Sequence, residues 1–576
     1  MAGSNRLTGG QLIVRTLKAH GVRTAFALAG TAHTHVLFAM EDAAFRIVSG
    51  RHETATVCAA DGYARVSGKL GVALIKGDQG LPNAVTGIMT AQLACSPVLV
   101  LVSLTPANTL EAQGEDDNDI LDLVKGHCKW ARTVPDAERL AEYVAAGARQ
   151  ALSGRPGVAV LGIPQHFEAA AVDAADRASA EPLPAPPAPD PDAVAAAARV
   201  IAAAKRPLIV AGSGAALADA GPPLRAIAET YRIPVFGHVL GRGLVPEDDR
   251  LGFSWPLAQV AAKEADAVLV VGARLGQRFG YGLAPRFSAT ARFVQIDIAP
   301  EEMGRNRPVD VAIAADARAA LVALRGALTA AGTRAGDTGW VDAALAPRRA
   351  RIDALGRDET PPIHPYRIGR ELMKLMPEDA IYVGDGADIQ NWMHGVLRIR
   401  RGRSYMDHYP LGSMGVGTPL AVGAAAAARD LAAPGAAPRP VVLVTGDGSF
   451  GFYCAELNGA ALAGLKIVCV ISNDGAWGTE KHGQVNALGR TVNCVLGQAD
   501  YHLIAQAFGC AGLRIDKAAD LAPALARAFA ADGTTVLNVI TDPDAGLVRK
   551  QDPRVQTVAF DDLVTNLRTH ATPSVA

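Results

Sequence analysis

Two acids in the 576-residue chain stand where phosphate and metal chemistry is easily built. Val441–Thr445 is an apolar, β-branched run that ends in Gly446-Asp447-Gly448-Ser449. A second run, Ile467–Ser472, ends in Asn473-Asp474-Gly475, and the helix-length stretch Cys454–Gly464 lies between them. Such runs read as buried parallel strands. Two consecutive strands of this kind bring Asp447 and Asp474 to one sheet edge. Two hard oxygen ligands, beside glycine-opened amides and a helix N-terminus, suit Mg²⁺ plus a diphosphate. A backbone carbonyl at Ala476 completes the expected set. Gly446, Gly448 and Gly451 alone also fit GxGxxG, a weak dinucleotide signal. That reading needs an acid about 20 residues further on to hold a ribose, where Lys466 stands instead.

Three further groupings can take part. Arg51-His52-Glu53 follows the apolar Phe45–Val48 and opens a predicted helix, His52–Val66. Glu53 there is either a plain helix N-terminal acid or a carboxylate placed to share a proton with a bound heterocycle. Leu411-Gly412-Ser413-Met414-Gly415-Val416-Gly417 is a glycine-rich turn that precedes a run of small residues. Asp385-Gly386-Ala387 ends another strand-like run, DAIYVGDGA.

The elements that must position these residues fall into three blocks. EPLPAPPAPDPD, at 181–192, is stiff linker composition. A second boundary is expected across 330–362, between GTRAGDTG and ETPPIHP. Strand candidates are GVALIKGD, PVLVLVSL and GVAVLGIP in the first block. The second has RPLIVAGSG, DAVLVVGAR and RFVQIDIAP; the third adds KIVCVISNDG and TTVLNVITD. Apolar strands ending in Gly or Asp before helices predict an α/β fold of three doubly wound parallel-sheet domains. The expected spans are 1–180, 193–340 and 362–545, with a tail at 546–576. Ligands then belong at the carboxyl ends of the strands.

Taken together, GDG, the NDG pair, His-Glu before Ala60-Asp61-Gly62-Tyr63-Ala64-Arg65, and Gly412-Ser413-Met414-Gly415 resemble the thiamine-diphosphate (ThDP) enzyme family, in the family's order and over almost the whole chain. The resemblance implies Asp447, Asp474 and the Ala476 carbonyl as metal ligands, although Asn is usual at the position of Asp474. It implies Glu53 as the group that activates the aminopyrimidine, Met414 as the wedge under the bent cofactor, and the Gly412 carbonyl as partner of the pyrimidine amino group. Diphosphate contacts fall to Asp385, Gly386, Ala387, Gly448 and Ser449, and further cofactor contacts to Trp477 and Gly478. It also implies a homodimer or homotetramer, with each cofactor between the first domain of one subunit and the third domain of another.

Local text is similar to benzaldehyde lyase and its relatives in Gly10–Val22, Lys69–Ile75, Gly272–Gly282, Tyr409–Gly417 and Val444–Gly451. The expected activity is cleavage or formation of carbon–carbon bonds in 2-hydroxy ketones or 2-keto acids through a ThDP carbanion. An acetolactate-synthase-like carboligase of pyruvate and a 2-hydroxyacyl-CoA lyase or oxalyl-CoA decarboxylase are the alternatives. In the last, Leu547-Val548-Arg549-Lys550 and Arg554 fold over CoA; otherwise they are a solvated tail. An idle, regulatory ThDP-binding protein is the non-enzyme alternative, and Glu53 with Met414 argues against it. Candidate proton-relay groups are His33 or His35, and Gln113 or Glu115. Gln390 stands where benzaldehyde lyase has a tyrosine. Trp477, His482 and Gln484 are candidate pocket residues. In the middle block, Gly212-Ser213-Gly214, Arg274 and Asp297 look nucleotide-binding, but a vestigial fold explains them as well, so FAD or ADP is not favoured.

Composition narrows the partners. Lys+Arg 56 against Asp+Glu 57 gives a net charge of -1, against a nucleic-acid surface spread over the chain. The seven cysteines include no CxxC pair, which suits reduced thiols and gives no zinc spacing. MAGSNRLTGG has no apolar signal core, and Leu93–Leu104 is too short to span a bilayer. A cytoplasmic protein acting on a small molecule, with no membrane partner, is expected.

Overall fold

A computed structural model describes residues 6–106, 108–114, 120–173, 183–248 and 250–547. Among these, three six-stranded sheets form, and every strand pair within them is parallel. The strands are almost wholly buried, because helices cover both faces, which explains why they read as continuous apolar runs rather than alternating ones. A short antiparallel pair, Arg6–Thr8 with Ala171–Asp173, closes the first domain.

The first sheet runs, edge to edge, Arg46–Ser49, Thr24–Ala27, Gly71–Lys76, Val98–Leu104, Val158–Pro164, Trp130–Thr133. The middle sheet runs Gly252–Ser254, Val235–Gly237, Pro207–Ala211, Ala267–Val271, Arg292–Asp297, Val311–Ala314. The third runs Tyr405–Asp407, Ile381–Gly384, Val441–Gly446, Val468–Asn473, Thr535–Ile540, Ala511–Ile515. In each, the chain leaves an inner strand to one side and returns to its other side. That reversal opens a crevice at the carboxyl ends. In the third sheet the crevice lies between the turns after Gly384 and Gly446.

The first and third domains are joined through Glu53–Ser67 and Gly417–Leu431, two helices packed at backbone distance. A Cβ on Gly423 would stand 1.9 Å from the Ala59 carbonyl oxygen, and one on Gly62 would stand 2.2 Å from that of Leu420. Any larger residue separates the helices. The segment between the two glycine- and proline-rich breakers near 330–362 is not a bare linker: it holds a helix, Gly339–Arg357, whose Val341, Leu345 and Ile352 join the core between the middle and third domains. Among the described residues no helix is long and apolar enough to cross a membrane.

Candidate active site

The Val441–Gly446 and Val468–Asn473 strands are neighbours, with Gly446 opposite Ser472. Asp447 is the first residue of the helix Asp447–Tyr453, so the helix begins at the acid itself and not at Cys454. Gly475 turns at φ +66°, and the Asp474 Oδ1 accepts the Ala476 N–H at 3.2 Å. The turn thereby aims Asp474 back at Asp447. The Asp447 carboxylate raises the proton affinity of Asp474, and each residue keeps a buried Oδ2 with no hydrogen-bond partner. Burial, then Asp388 and Asp447, pushes Asp474 up to about 9; burial raises Asp447 to about 6. Two carboxylates in one dry place hold a proton between them because they cannot both ionise without a cation. Two buried acid oxygens left without partners are what a bound cation would satisfy, so the pair fits a divalent metal. Among the described residues no group of three or more His, Cys, Asp or Glu forms a metal cage. Mg²⁺ bound through few protein ligands plus phosphate and water does not need one.

Room for the ligand comes from glycine. A Cβ on Gly478 would stand 2.6 Å from the Asp474 Oδ2 and 3.0 Å from the Asp388 Cγ. Gly386, at φ +83°, brings its turn against the Gly446 amide and the Ser449 hydroxyl. The half-buried Trp477 lays its ring on Gly448, where a Cβ would meet it at 2.3 Å. Gly412 and Gly415 have φ +84° and +90° on either side of the half-buried Met414.

Asp385 differs from expectation. Its carboxylate is buried and accepts backbone N–H groups from Gly386, Gly415 and Gly417 at 2.8, 3.3 and 2.9 Å. Burial raises it to about 7 against the pull of those donors. Gln390 also points away from any substrate. It is buried, accepts the Tyr382 hydroxyl at 3.0 Å and donates to the Val444 carbonyl at 3.0 Å.

The first-domain residues are placed more loosely. Glu53 opens the helix Glu53–Ser67 behind the His52 N-cap, whose Nδ1 accepts the Thr54 N–H. Its half-exposed carboxylate accepts the Asn83 Nδ2–H at 3.1 Å and lies against Gly80. Glu53 thus fits both readings at once, being an N-terminal acid and standing at the ligand edge of its sheet. His33 is not available to a substrate. It is buried, with Nδ1 at 2.7 Å from the Glu168 Oε1 and Nε2 at 3.1 and 3.2 Å from the carbonyls of Ile75 and Leu101. Both ring nitrogens are committed to protein acceptors. His35 is exposed. Gln113 lies in an exposed loop at φ +63°. Glu115, like Val548, Arg549, Lys550 and Arg554, falls outside the described residues. His482 is bonded to Asp388 at 3.2 Å and to the Pro543 carbonyl at 3.0 Å, while the Gln484 Oε1 accepts the Val492 N–H at 2.8 Å.

Three residues at the site were missed by sequence reasoning. Asp388 sits beside Asp474 and His482, Asn83 holds Glu53, and Glu456 accepts the Arg51 N–H at 3.0 Å across the first and third domains. Asp388 and Glu456 read as ordinary first-turn acids of helices, so only their spatial neighbours identify them.

In the middle domain the Gly212-Ser213-Gly214 turn packs on Gly272, whose carbonyl accepts the Gly214 N–H at 2.9 Å. Above it opens a cavity of about 1080 Å³, lined by Arg155, Arg274, Asp297 and, from the third domain, Tyr409–Leu411.

Three parallel α/β domains with paired acids at a glycine-opened switch point, and a glutamate on a separate domain, define a diphosphate-cofactor enzyme of the ThDP class. The chain belongs to the thiamine pyrophosphate (ThDP) enzyme family. Residues 7–126 match the N-terminal TPP binding domain, 194–324 the central domain and 385–539 the C-terminal TPP binding domain. The acetolactate synthase large subunit IlvG of Mycobacterium tuberculosis is 32% identical over 96% of this chain and 99% of its own. A sulfoacetaldehyde acetyltransferase of Castellaniella defragrans is 28% identical over 94% of this chain and 95% of its own. The 2-hydroxyacyl-CoA lyase 1 of Mus musculus is 27% identical over 94% of this chain and 96% of its own. The chain is therefore an acetolactate-synthase-like member of a family of ThDP-dependent carboligases and lyases. The nearness to benzaldehyde lyase in particular has no counterpart among these relatives.

Proposed function

We propose that the protein is a ThDP- and Mg²⁺-dependent carboligase or lyase that works on small 2-keto acids or 2-hydroxy ketones. The observation that carries this is the Asp447–Asp474 pair with its two buried, orphaned oxygens. The relatives' length match and names favour the acetolactate-synthase-like branch over a benzaldehyde lyase. When bound, the cofactor supplies the electron sink for making or breaking a bond to a carbonyl carbon.

The chain's own residues do the rest. Asp447, Asp474 and the Ala476 carbonyl hold the metal, and the amides of Ala387, Gly448 and Ser449 hold the diphosphate, with Gly386 shaping their turn. Met414 and the Gly412 carbonyl fix the ring pair, with Trp477 and Gly478 beside them. Glu53 holds a proton at the pyrimidine ring nitrogen, kept in orientation by Asn83. Gln113 stays a candidate for the substrate hydroxyl. The cofactor lies between the first domain of one copy and the third domain of another, so the working form is a homodimer or homotetramer.

A screen of pyruvate, benzoylformate, benzoin, acetoin and a 2-hydroxyacyl-CoA with purified enzyme tests this, following CO₂ and aldehyde. Turnover of pyruvate with CO₂ release is expected. Failure of every substrate, with cofactor bound, turns the reading to an idle cofactor-binding protein. The 1080 Å³ cavity favours a second reading for the middle domain alone, that it takes an ADP-containing ligand such as FAD or ADP. Retention of either nucleotide through gel filtration checks it.

A further inference from the structure

We propose that Asp385 is a positioning residue: its carboxylate clasps the turn that carries Met414 and so fixes where that side chain stands. The proposal rests on the ThDP reading of Met414. Asp385 is 0% exposed. Its Oδ1 accepts the N–H groups of Gly386 and Gly415, and its Oδ2 accepts that of Gly417. One carboxylate thus ties its own diphosphate-side turn to the residue directly after Met414 and to the first residue of the helix Gly417–Leu431.

The chemistry of this clasp is specific to a carboxylate. Three donors converge on two acceptor oxygens, and the helix N-terminus adds a favourable dipole. An amide at the same place offers one acceptor and turns its NH₂ against an N–H donor. The fit is also steric. A Cβ on Gly417 would stand 2.4 Å from the Asp385 Cβ and 2.9 Å from its Oδ2, and Gly415 turns at φ +90° against Phe452. The neighbouring His408 Nδ1 is 3.9 Å away, beyond hydrogen-bond reach. A buried carboxylate with both oxygens already taking amide N–H groups repels a diphosphate rather than holding it. The role left to it is to hold the turn.

The test compares Asp385→Asn, Met414→Ala and the double variant in the holoenzyme. Asp385→Asn should bind ThDP with Mg²⁺ within about tenfold of wild type, while kcat falls about 100-fold with KM little changed, the mark of misplacement. Hydrogen–deuterium exchange at C2 of the bound cofactor should slow by a similar factor. Added to Met414→Ala, the same change should cost less than about threefold, because two residues acting through one turn are not additive. Where Asp385→Asn does not fold, Gly417→Ala, which pushes on the clasp from the other side, takes its place with the same expectation. Multiplicative losses overturn the clasp, as does loss of ThDP binding as complete as in Asp447→Ala. A wild-type enzyme that binds no ThDP with Mg²⁺ overturns the functional reading, and the clasp's role falls with it.

Discussion

The two halves of the candidate site are built to different standards. In the third domain, Asp447 and Asp385 are buried, three amides fix Asp385, and glycines at 386, 412, 415 and 475 allow the loops tight positive-φ turns. In the first domain, Glu53 is half-exposed and held by Asn83, and Gln113 sits on an exposed loop. Phe452, Leu488, Val492 and Val495, flanking the metal turns, are 53%, 74%, 63% and 72% exposed. The difference teaches that the third-domain turns are fixed by their own chain while the first-domain groups are more exposed, and that the apolar side chains left exposed lie on the third-domain side. On the proposed dimeric reading, a second copy covers these apolar side chains. The third-domain half holds two acids raised by burial, which the proposed metal would relieve, while the proposed role of the first-domain half is to place Glu53.

The comparison breaks most sharply at Asp447. Asp447→Ala removes half of the acid pair, and ThDP affinity in the presence of Mg²⁺ should fall more than about 100-fold, with activity lost. Calorimetric titration reads it directly. Glu53→Gln, on the looser half, should leave cofactor affinity within a few-fold and lower kcat by about 10²–10⁴, the range of a lost proton-transfer group. Should Glu53→Gln keep full activity, the assigned division of labour is wrong.

The smallest effect is on stability, at the contact between the first and third domains within one chain. Burial raises the Glu456 carboxyl from 4.5 to about 7. The folded chain therefore keeps a proton there that the unfolded chain has released. Stability from this group is full below about pH 4.5 and falls as pH rises to about 7, by roughly 3 kcal/mol at most. Urea melts of the apoenzyme across that window should show a shallower decline in Glu456→Gln, whose amide still accepts the Arg51 N–H.

How much of this was legible in the sequence depended on range. Val441–Gly446 and Val468–Asn473 were readable because buried parallel strands leave continuous apolar runs, and their adjacency put Asp447 and Asp474 together. Glu53 was readable because a helix start is a local signal. The role of Asp385 was not, because its partners are backbone amides 30 and 32 residues away, which carry no sequence signature. His33 was misjudged for the same reason: its partner Glu168 lies 135 residues along the chain. A polar residue after a glycine reads as a loop residue until the element that buries it is known. The helix Gly339–Arg357 was hidden between two breaker-rich flanks that drew attention to themselves.

Mixing two inactive variants tests the central claim, that one chain's Glu53 serves a cofactor held by another chain's Asp447. Asp447→Ala and Glu53→Gln proteins, each inactive alone, are denatured together, refolded with ThDP and Mg²⁺, and assayed. In a mixed dimer one site carries both defects and the other carries neither. With half of random dimers mixed, activity should return to about a quarter of wild type. A mixture that stays as inactive as its components, while mixed dimers are shown to form, contradicts the account and places both residues of each site on a single chain.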